Sequence, residues 1–332
     1  MTREIIVNGR FLSRRVTGVE RYARAITKIF EKECRIETTK LNGVAGHAWE
    51  QFILPNKLNP ESILWSPANT GPLLVRNQAL TIHDLSPLEH PEWFKKSFSL
   101  WYRLFLPILA RRVQVIFTPS EFVKRKVEET FGIKNIIVTP SGVDSSIFCP
   151  GAFLKAYGLP EKYILFVGSI QPRKNLTGLL KAWREIRDGF KDTWLIVAGE
   201  KGNVFRSENF ADEERVRFLG YVSDDELPGM YANAKLFVLP SFDEGFGLPA
   251  LEALACGTPV IVSNGGALPE VVGDAGMIFD LAKPDDLASS IKTILSDNHL
   301  RNTMKEKGLL RAKTFSWQTT AGLIWSKLNE RM

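Results

Sequence analysis

Short apolar runs alternate with longer segments of helical periodicity along most of the chain. An apolar run bounded by Gly, Pro or polar residues is typical of a strand that is buried on both faces of a sheet. The predicted strands are Glu4–Asn8, Ser62–Trp65, Leu80–His83, Gln114–Thr118, Ile136–Val138, Tyr163–Val167, Trp194–Gly199, Arg215–Leu219, Leu236–Leu239, Pro259–Val262 and Met277–Phe279. The segments between them place apolar residues on one helical face, as Val19, Tyr22 and Ile26 do. This alternation predicts an α/β fold built on parallel sheets.

The length and one change in composition predict two domains. A chain of 332 residues is long enough for two hydrophobic cores. Residues 149–160 are rich in Pro and Gly, which is typical of a linker between domains. We therefore predict a first domain at residues 1–155, a second at residues 156–314 and a terminal helix at residues 315–332.

Charge is distributed unevenly between the two predicted domains. Residues 1–155 carry 22 Lys and Arg against 14 Asp and Glu, whereas residues 156–332 carry 21 against 23. The basic first half suits an anionic surface, a phosphorylated acceptor or nucleic acid. Nucleic acid is the least favoured partner, because the sequence contains no nucleic-acid-binding motif.

The cysteines and the amino terminus indicate a cytoplasmic protein. Three widely spaced cysteines do not form a disulfide framework. The first residues do not resemble a signal peptide, and no apolar stretch is long enough to span a bilayer. We expect a cytoplasmic location, with peripheral association at the inner face of a membrane as an extension of it.

One stretch, Lys235–Gly276, contains two carboxylates in positions that suggest a binding site. A buried strand leads into a Gly-rich loop that contains Glu244, and a helix follows. Glu252 lies on that helix among alanines and leucines, where a charge needs a polar partner or a ligand. The loop also delivers backbone N–H groups to the helix N-terminus, which favours an anion. Ordinary solvated positions are the alternative explanation for both carboxylates.

Another candidate anion site follows the strand Tyr163–Val167. Arg173 and Lys174 lie next to Pro172 and just before a predicted helix. Cations at a helix N-terminus oppose the macrodipole, so the pair is unfavourable there unless an anion lies between it and the helix. Arg grips phosphate with two donors, and Lys adds a mobile point charge.

These segments resemble the family 4 retaining glycosyltransferases. The similarity lies in EGFGLPALEALACGTPVI (residues 244–261), in GGALPEVVGDAG (residues 265–276) and in the basic pair that follows Pro172. The resemblance implies a GT-B fold: two Rossmann-like parallel-sheet domains with an interdomain cleft. It also implies a nucleotide-sugar donor in the second domain, an acceptor in the first, and a terminal helix, residues 315–332, that crosses back to the first domain.

The resemblance assigns roles to residues of the second domain. Arg173 and Lys174 would contact the donor diphosphate, Glu252 the ribose hydroxyls, and Glu244 the transferred sugar. The remaining donor-binding candidates are Tyr221 and Val222 against the nucleotide base, and Phe246, Gly247 and Leu248 around the sugar.

It assigns three residues of the first domain as well. Gly18 and Val19 would lie near the donor phosphates or sugar, and His83 would approach the sugar. A turn glycine and a structural histidine are the simpler explanations.

The aromatic and basic segment Trp93–Val113, which Pro107 is expected to break, is either a core-packing helix or an interfacial one.

The chemistry predicted from this resemblance requires neither a metal nor a cofactor. The chain contains no D-x-D triplet, so protein cations would balance the diphosphate charge. TGVERYA and HDLSPL resemble mannosyltransferases of bacterial surface-polysaccharide assembly, which favours GDP-mannose as donor and a lipid-linked glycan as acceptor. The alternatives are a UDP- or dTDP-sugar donor, a glycosidase, a sugar-nucleotide epimerase, and a nucleotide-sugar-binding subunit without transfer activity.

Overall fold

A computed structural model describes residues 4–153, 158–200, 213–283 and 285–330. The chain divides into two units. The first unit comprises Met1–Glu89, Lys96–Gly142 and Ser316–Met332, and the second comprises His90–Lys95 and Val143–Phe315. The predicted boundary between residues 155 and 156 lies outside the described residues.

The described residues contain twelve strands and twelve α-helices. The strands are β1 (Ile5–Asn8), β2 (Arg35–Glu37), β3 (Ile63–Ser66), β4 (Gln78–Thr81), β5 (Val115–Thr118), β6 (Ile136–Val138), β7 (Lys162–Val167), β8 (Thr193–Ala198), β9 (Val216–Gly220), β10 (Leu236–Leu239), β11 (Val260–Ser263) and β12 (Met277–Phe279). The helices are α1 (Gly18–Ile29), α2 (Gly43–Ala48), α3 (Ser86–Glu89), α4 (Lys96–Ala110), α5 (Glu121–Phe131), α6 (Leu176–Ile186), α7 (Leu227–Asn233), α8 (Leu248–Ala255), α9 (Leu268–Val272), α10 (Asp286–Ser296), α11 (Asn298–Ala312) and α12 (Trp317–Asn329).

Each unit is built on a six-stranded parallel sheet. The strand order is β2-β1-β3-β4-β5-β6 in the first unit and β12-β11-β10-β7-β8-β9 in the second. Every described pairing is parallel. The second order is that of a dinucleotide-binding Rossmann sheet, whereas the first resembles the flavodoxin order. The predicted α/β class with two Rossmann-like sheets is confirmed.

The inner strands β1, β3, β10 and β11 of the two sheets are buried along their whole length, which explains their continuous apolar sequences. In the second unit α6 and α10 pack on one face, where Trp183, Leu179 and Ile291 are buried among the residues of β7, β8 and β10. In the first unit the core under α4 and α5 includes Leu106 and Val127. These positions carry the apolar periodicity of the sequence, because a face buried against a sheet must exclude water.

Helix α12 packs within the first unit. The Trp317 ring meets the edge of Tyr22 at a centroid distance of 5.8 Å, and the Trp325 ring contacts Phe30 at 5.3 Å. Its Thr320 hydroxyl donates to the carbonyl of Pro140 at 2.5 Å. The end of the chain therefore helps to close the core of the unit in which the chain begins.

Two details differ from the sequence-based prediction. Strand β2 was not predicted, because its residues Arg35, Ile36 and Glu37 lack an apolar run; it forms by pairing with β1. Pro107 does not break its helix, since α4 runs continuously to Ala110. The proline lies in the last turn, where it removes one intrahelical hydrogen bond, and buried packing of the neighbouring side chains holds that turn in place.

Candidate functional site

Two loops of the second unit meet where the strand order of its sheet reverses. Strands β7 and β10 are neighbours and parallel, with Leu236 opposite Ile164 and Phe237 opposite Leu165. Their carboxyl ends therefore lie at the same edge of the sheet. In open α/β sheets ligands bind in the crevice at such a reversal point, between the loops that leave the two strands. Arg173 and Lys174 follow β7, and Glu244 follows β10.

The loop after β7 holds Arg173 and Lys174 in a short helical turn. Pro172–Lys174 form a 3-10 turn that ends at Asn175, whose φ of 52° is left-handed. Asn tolerates this conformation better than most residues. The Asn175 side chain accepts from the amide of Gly178 at 3.1 Å and donates to the carbonyl of Pro240 at 3.1 Å. It thus caps α6 and joins the two loops, while both cations lie before the helix rather than in its first turn.

The structure brings Arg173, Lys174 and Glu244 into one ion cluster. Lys174 Nζ lies 2.5 Å from Glu244 Oε1, and Arg173 Nη1 lies 3.3 Å from Glu244 Oε2. The Ser241 hydroxyl donates to Glu244 Oε1 at 2.7 Å. Arg173 also donates to the carbonyl of Asp243 at 3.0 Å. Since Lys174 and Glu244 are both buried, the cluster holds its charges in fixed positions.

Burial and the two cations act in opposite directions on the pKa of Glu244. Burial raises this pKa, but the charges of Lys174 and Arg173, together with the hydrogen bonds from Lys174 and Ser241, outweigh it and lower the pKa to about 2. Glu244 is therefore a carboxylate at physiological pH. It can accept hydrogen bonds and stabilise positive charge, but it has no proton to donate.

The lowered pKa predicts a pH dependence of stability. Because the pKa of Glu244 is lower in the folded chain than its ordinary value of 4.5, its contribution is complete above that value and declines as the pH falls towards about 2. From about pH 5 to about pH 3, the difference in free energy of unfolding between the wild type and Glu244→Gln should shrink by about 2 kcal/mol. Urea unfolding at several pH values measures this difference, and a constant difference would contradict the ion cluster.

A glycine loop after β11 encloses the backbone of Glu244. The Ala267 amide donates to the carbonyl of Glu244 at 2.8 Å. Gly266 has a φ of 66°, and a Cβ built on it would lie 2.3 Å from the Glu244 carbonyl oxygen and 2.4 Å from its nitrogen. Only glycine fits this position, because any side chain would displace the Glu244 backbone.

Substitution at Gly266 should therefore cost both stability and activity. Gly132 is a matched control, since its φ is 70° and an added Cβ would meet no atom within 4 Å. Gly132→Ala should lower the free energy of unfolding by about 1 kcal/mol, the cost of left-handed backbone alone. Gly266→Ala should lower it by a further 1–3 kcal/mol or so, because neighbouring atoms must shift. Equal losses in the two variants, measured by urea unfolding, would show that the Glu244 backbone is not confined.

Glu252 lies in the middle of α8 and is 2% exposed. Its carboxylate accepts a hydrogen bond from the Tyr231 hydroxyl at 3.0 Å. Tyr231 reaches it from α7 and is itself fully buried. The expectation that a charge on this apolar helix needs a polar partner is thus met within the protein.

The residues between the two glutamates have mainly structural environments. Gly247 precedes α8 with a left-handed φ of 101°. Phe246 is buried, and its ring meets the edge of Phe315 at 5.7 Å. Leu248 is the first residue of α8 and is also buried. Because its backbone is left-handed, Gly247 sets the direction in which α8 leaves the loop that contains Glu244.

Tyr221 and Val222 follow β9, which lies two strands from β7 in the sheet. Tyr221 is exposed, whereas Val222 is buried. Gly220, immediately before them, has a φ of 70°, and its carbonyl accepts from the amide of Gly199 at 2.7 Å. Tyr221 therefore lies at the same edge of the sheet as the ion cluster, but it follows a different strand.

His83 belongs to the first unit and follows β4. Its Nε2 lies 2.8 Å from the carbonyl of Pro67, and its ring meets the edge of Tyr22 at 4.9 Å. Burial lowers its pKa, although the hydrogen bond to Pro67 opposes that shift. A carbonyl can only accept, so the proton of the neutral ring lies on Nε2 and Nδ1 is the acceptor.

Gly18 and Val19 form the first turn of α1, in the first unit. The capping residue Thr17 donates its amide to the carboxylate of Glu20 at 3.2 Å, and the Thr17 hydroxyl bonds the same carboxylate. The chain thus supplies a carboxylate of its own to this helix terminus, which follows the rules of a capping box. Gly18 itself is exposed.

Sequence reasoning missed three residues that organise the two acidic positions. Ser241 bonds Glu244, Tyr231 bonds Glu252, and Asn175 joins the two loops. Asn175 carried a local signal, because Asn often caps helices and tolerates left-handed backbone. Ser241 and Tyr231 carried none, since their roles depend on side chains from other elements.

The cluster carries net positive charge, because a guanidinium and an ammonium lie beside one carboxylate. Such a site suits an anion placed against the cations, while Glu244 keeps them in position. Within the described ranges, no group of three His, Cys, Asp or Glu could hold a metal ion. No helix among the described residues meets the length and hydropathy needed to cross a membrane.

Comparisons with known families and proteins agree with this architecture. The family model of glycosyl transferases group 1 matches residues 155–311, and that of glycosyltransferase family 4 matches residues 62–147. The O-antigen chain mannosyltransferase B of Escherichia coli is 36% identical over 261 residues, which cover 74% of this chain and 68% of that protein. The D-inositol 3-phosphate glycosyltransferase of Corynebacterium glutamicum (strain R) is 35% identical over 215 residues, covering 59% of this chain and 51% of that protein.

Solved structures share the fold over nearly the whole chain. The sucrose-phosphate synthase of Thermosynechococcus elongatus has a TM-score of 0.78 at 18% identity and covers 98% of this chain and 99% of that one. The glycosyltransferase WaaG, involved in lipopolysaccharide biosynthesis, has a TM-score of 0.75 at 14% identity, with 98% and 100% covered. These similarities identify the pair of parallel sheets as the GT-B fold. The chain belongs to glycosyltransferase family 4.

Proposed function

We propose that the protein is a retaining, metal-independent mannosyltransferase that moves mannose from GDP-mannose to a growing, lipid-linked surface glycan. The cluster of Arg173, Lys174 and Glu244 at the reversal point of the second sheet is the observation that carries this proposal. The O-antigen mannosyltransferases of Escherichia coli and Salmonella typhimurium support the choice of sugar and glycan, at 36% and 30% identity.

The two cations would balance the charge that develops on the leaving diphosphate. Fixed donors aimed at developing charge are worth most in a site from which water is excluded. Arg173 can bind two phosphate oxygens at once, and Lys174 adds a point charge. Glu244, bonded to both, keeps them oriented before the donor arrives and places its carboxylate beside the transferred sugar.

The other predicted residues would hold the donor rather than react. Glu252, on α8, would accept hydrogen bonds from the ribose hydroxyls, with Tyr231 supporting its carboxylate. Tyr221 and Val222 would lie against the base, and the residues 246–248 would shape the sugar pocket. Gly18, Val19 and His83 would contribute from the first unit, to which we assign the acceptor. As an acceptor through Nδ1, His83 would bind a sugar hydroxyl.

In the proposed reaction the acceptor attacks the face of the sugar from which the diphosphate departs. The bond between the anomeric carbon and the phosphate oxygen breaks as the bond to the acceptor oxygen forms. The acceptor proton passes to the leaving phosphate oxygen, so the anomeric configuration is retained. Since Glu244 has no proton to give, its role in this reaction is electrostatic.

Three alternatives retain the same site. In the first, the donor would carry uridine or deoxythymidine; Anabaena HepE, of the same fold at 16% identity, was solved in complex with UDP and with UDP-glucose. In the second, the chain is a nucleotide-sugar-binding subunit without transfer activity. In the third, it is a sugar-nucleotide epimerase, whose substrate also carries a diphosphate. A glycosidase would have no use for the two cations beside Glu244.

A thermal-shift comparison of GDP, UDP and dTDP tests the donor base. A ligand that binds only the folded state increases the free energy of unfolding, by about 2.7 kcal/mol at a concentration one hundred times its Kd, and so raises the melting temperature. We expect GDP to give the largest shift. A larger shift with UDP or dTDP would replace GDP-mannose as the donor, and no shift with any of them would overturn the proposed site.

Transfer itself requires a second assay. Release of sugar and nucleoside diphosphate from GDP-mannose should depend on an added lipid-linked glycan acceptor, and the product should retain the anomeric configuration. Donor binding without acceptor-dependent release would favour the binding subunit. Release that is equally fast without acceptor would favour hydrolysis.

A further inference from the structure

Helix α4 is apolar on its outward side as well as its inward side. Tyr102, Phe105, Leu106 and Leu109 are buried in the core of the first unit. On the opposite side, Leu100, Leu104 and Ile108 recur at intervals of four residues and are exposed; Leu104 is 63% exposed. A surface helix of a globular protein normally carries polar residues on its outer face, so this pattern requires an explanation.

Neighbouring segments extend the same surface. Helix α2 and the π-helix Trp49–Ile53 that follows it expose Val44 at 87% and Phe52 at 70%. The His47 ring of α2 meets the Trp101 ring of α4 at 5.1 Å, which joins the two helices. We call the outward residues of these segments the apolar face: Val44, Phe52, Ile53, Leu100, Trp101, Leu104 and Ile108.

Positive charge accompanies the apolar face. From Lys95 to Gln114, both included, the sequence contains five Lys or Arg and no Asp or Glu. Lys96, Arg103, Arg111 and Arg112 are all exposed. Long basic side chains can extend from an apolar surface so that the charged groups reach a layer of anions. Exposed apolar side chains accompanied by positively charged ones are typical of helices that lie in a membrane interface.

We propose that the apolar face docks on the surface of an anionic phospholipid bilayer. Trp101, Leu104 and their neighbours would enter the boundary between headgroups and acyl chains, while Arg103, Arg111 and Arg112 would contact lipid phosphates. Each cation near such a surface contributes attraction, and each buried apolar side chain adds to it. Helix α4 has 15 residues and is too short to span a bilayer, so it would lie in the plane of the interface.

A second copy of this chain fits the face less well. A symmetric dimer would bring the same surface of two copies together, so its cations would face one another across the interface. A bilayer of anionic lipids supplies the complementary charge that a second copy of the same surface lacks. This inference rests on the proposed function and deepens it, because a lipid-linked acceptor would lie at such a surface. Lipid binding is measured by an assay that does not involve sugar transfer.

Cosedimentation of the full chain with lipid vesicles tests the proposal. We expect binding to vesicles of phosphatidylglycerol and phosphatidylcholine in equal amounts, weaker binding to phosphatidylcholine alone, and weaker binding at high salt, which screens charge. Leu100→Ser with Leu104→Ser should lower the partition coefficient at least about tenfold. Arg103→Glu with Arg111→Glu should lower it by more than about thirtyfold on the anionic vesicles, because each change removes a positive charge and adds a negative one.

The second unit provides matched controls. Leu310, on α11, is 65% exposed, close to the value for Leu104, so Leu310→Ser removes an equivalent leucine that is not part of the apolar face. Lys292→Glu reverses an exposed charge on α10. Both controls should bind vesicles as the wild type does. All variants alter exposed side chains, so their thermal unfolding should match that of the wild type.

The two pairs of variants are independent, and each can refute the proposal. Vesicle binding that survives either pair would overturn it. If the wild type instead forms a concentration-dependent dimer that the leucine pair dissociates, with vesicle binding unchanged, the face is a self-association interface and the proposal is wrong. Loss of vesicle binding in both pairs, with the controls unaffected, would support it even if sugar transfer failed in every assay.

Discussion

Replacing Glu244 with glutamine should reduce the rate of sugar transfer about a thousandfold, because the fixed carboxylate between Arg173 and Lys174 is lost. Glutamine keeps the size of the side chain but not its charge. The two cations would then repel each other in a buried position, so their positions relative to the donor diphosphate would change. Initial rates of transfer, normalised to the folded fraction, measure this effect.

The same variant should be less stable when no donor is present. Removing one partner of a buried ion pair costs about 3–5 kcal/mol, because it leaves uncompensated charge. Glu185→Gln is the matched control: Glu185 lies in an exposed pair with Lys181, at 3.8 Å. An exposed pair contributes about 0–1 kcal/mol, so this control should retain both stability and turnover. Near-normal turnover in Glu244→Gln would contradict the role assigned to Glu244.

Replacing Lys174 with methionine should reduce turnover about a hundredfold to a thousandfold. Methionine preserves much of the apolar stem and removes the ammonium, so a charge that would stabilise the leaving diphosphate is lost. The pKa of Glu244 should rise from about 2, because the charge of Lys174 is the largest influence that lowers it. Binding of the nucleoside diphosphate should weaken as well, which titration calorimetry would show.

Lys181→Met is the control for this variant, since Lys181 is exposed on α6. A double variant, Lys174→Met with Glu244→Gln, separates the ion pair from its surroundings. If the two side chains interact directly, the double variant should lose less stability than the sum of the single losses. Strict additivity, or unchanged turnover in Lys174→Met, would contradict a cluster that acts as a unit.

Much of the fold was readable because parallel strands buried on both faces leave a strong local pattern. Strands β7 and β10 are continuous apolar runs, and each was predicted within about one residue, as element boundaries allow. Strand β2 has no such pattern, because a short edge strand is held by its neighbour. Pro107 misled the prediction for a related reason: local propensity favoured a break, and packing of the last turn outweighed it.

The candidate site likewise contains residues that could be identified from the sequence and residues that could not. Glu252 could be singled out from sequence, because a carboxylate among alanines and leucines contradicts the local pattern. Tyr231 could not, since its hydroxyl reaches Glu252 across the gap between two helices. Likewise the sequence marked Glu244 as a loop carboxylate, but its lowered pKa depends on cations 70 residues away along the chain.

The sequence by itself determined the α/β elements, the basic first half and the residue types that can bind a diphosphate, because each is local. Only the tertiary structure decided that β7 and β10 are neighbours, since strand order follows from burying both faces of a whole sheet. That order brings Lys174 to Glu244. It is also the tertiary structure that leaves the outer side of α4 uncovered, because burial depends on which helices the sheet can accommodate.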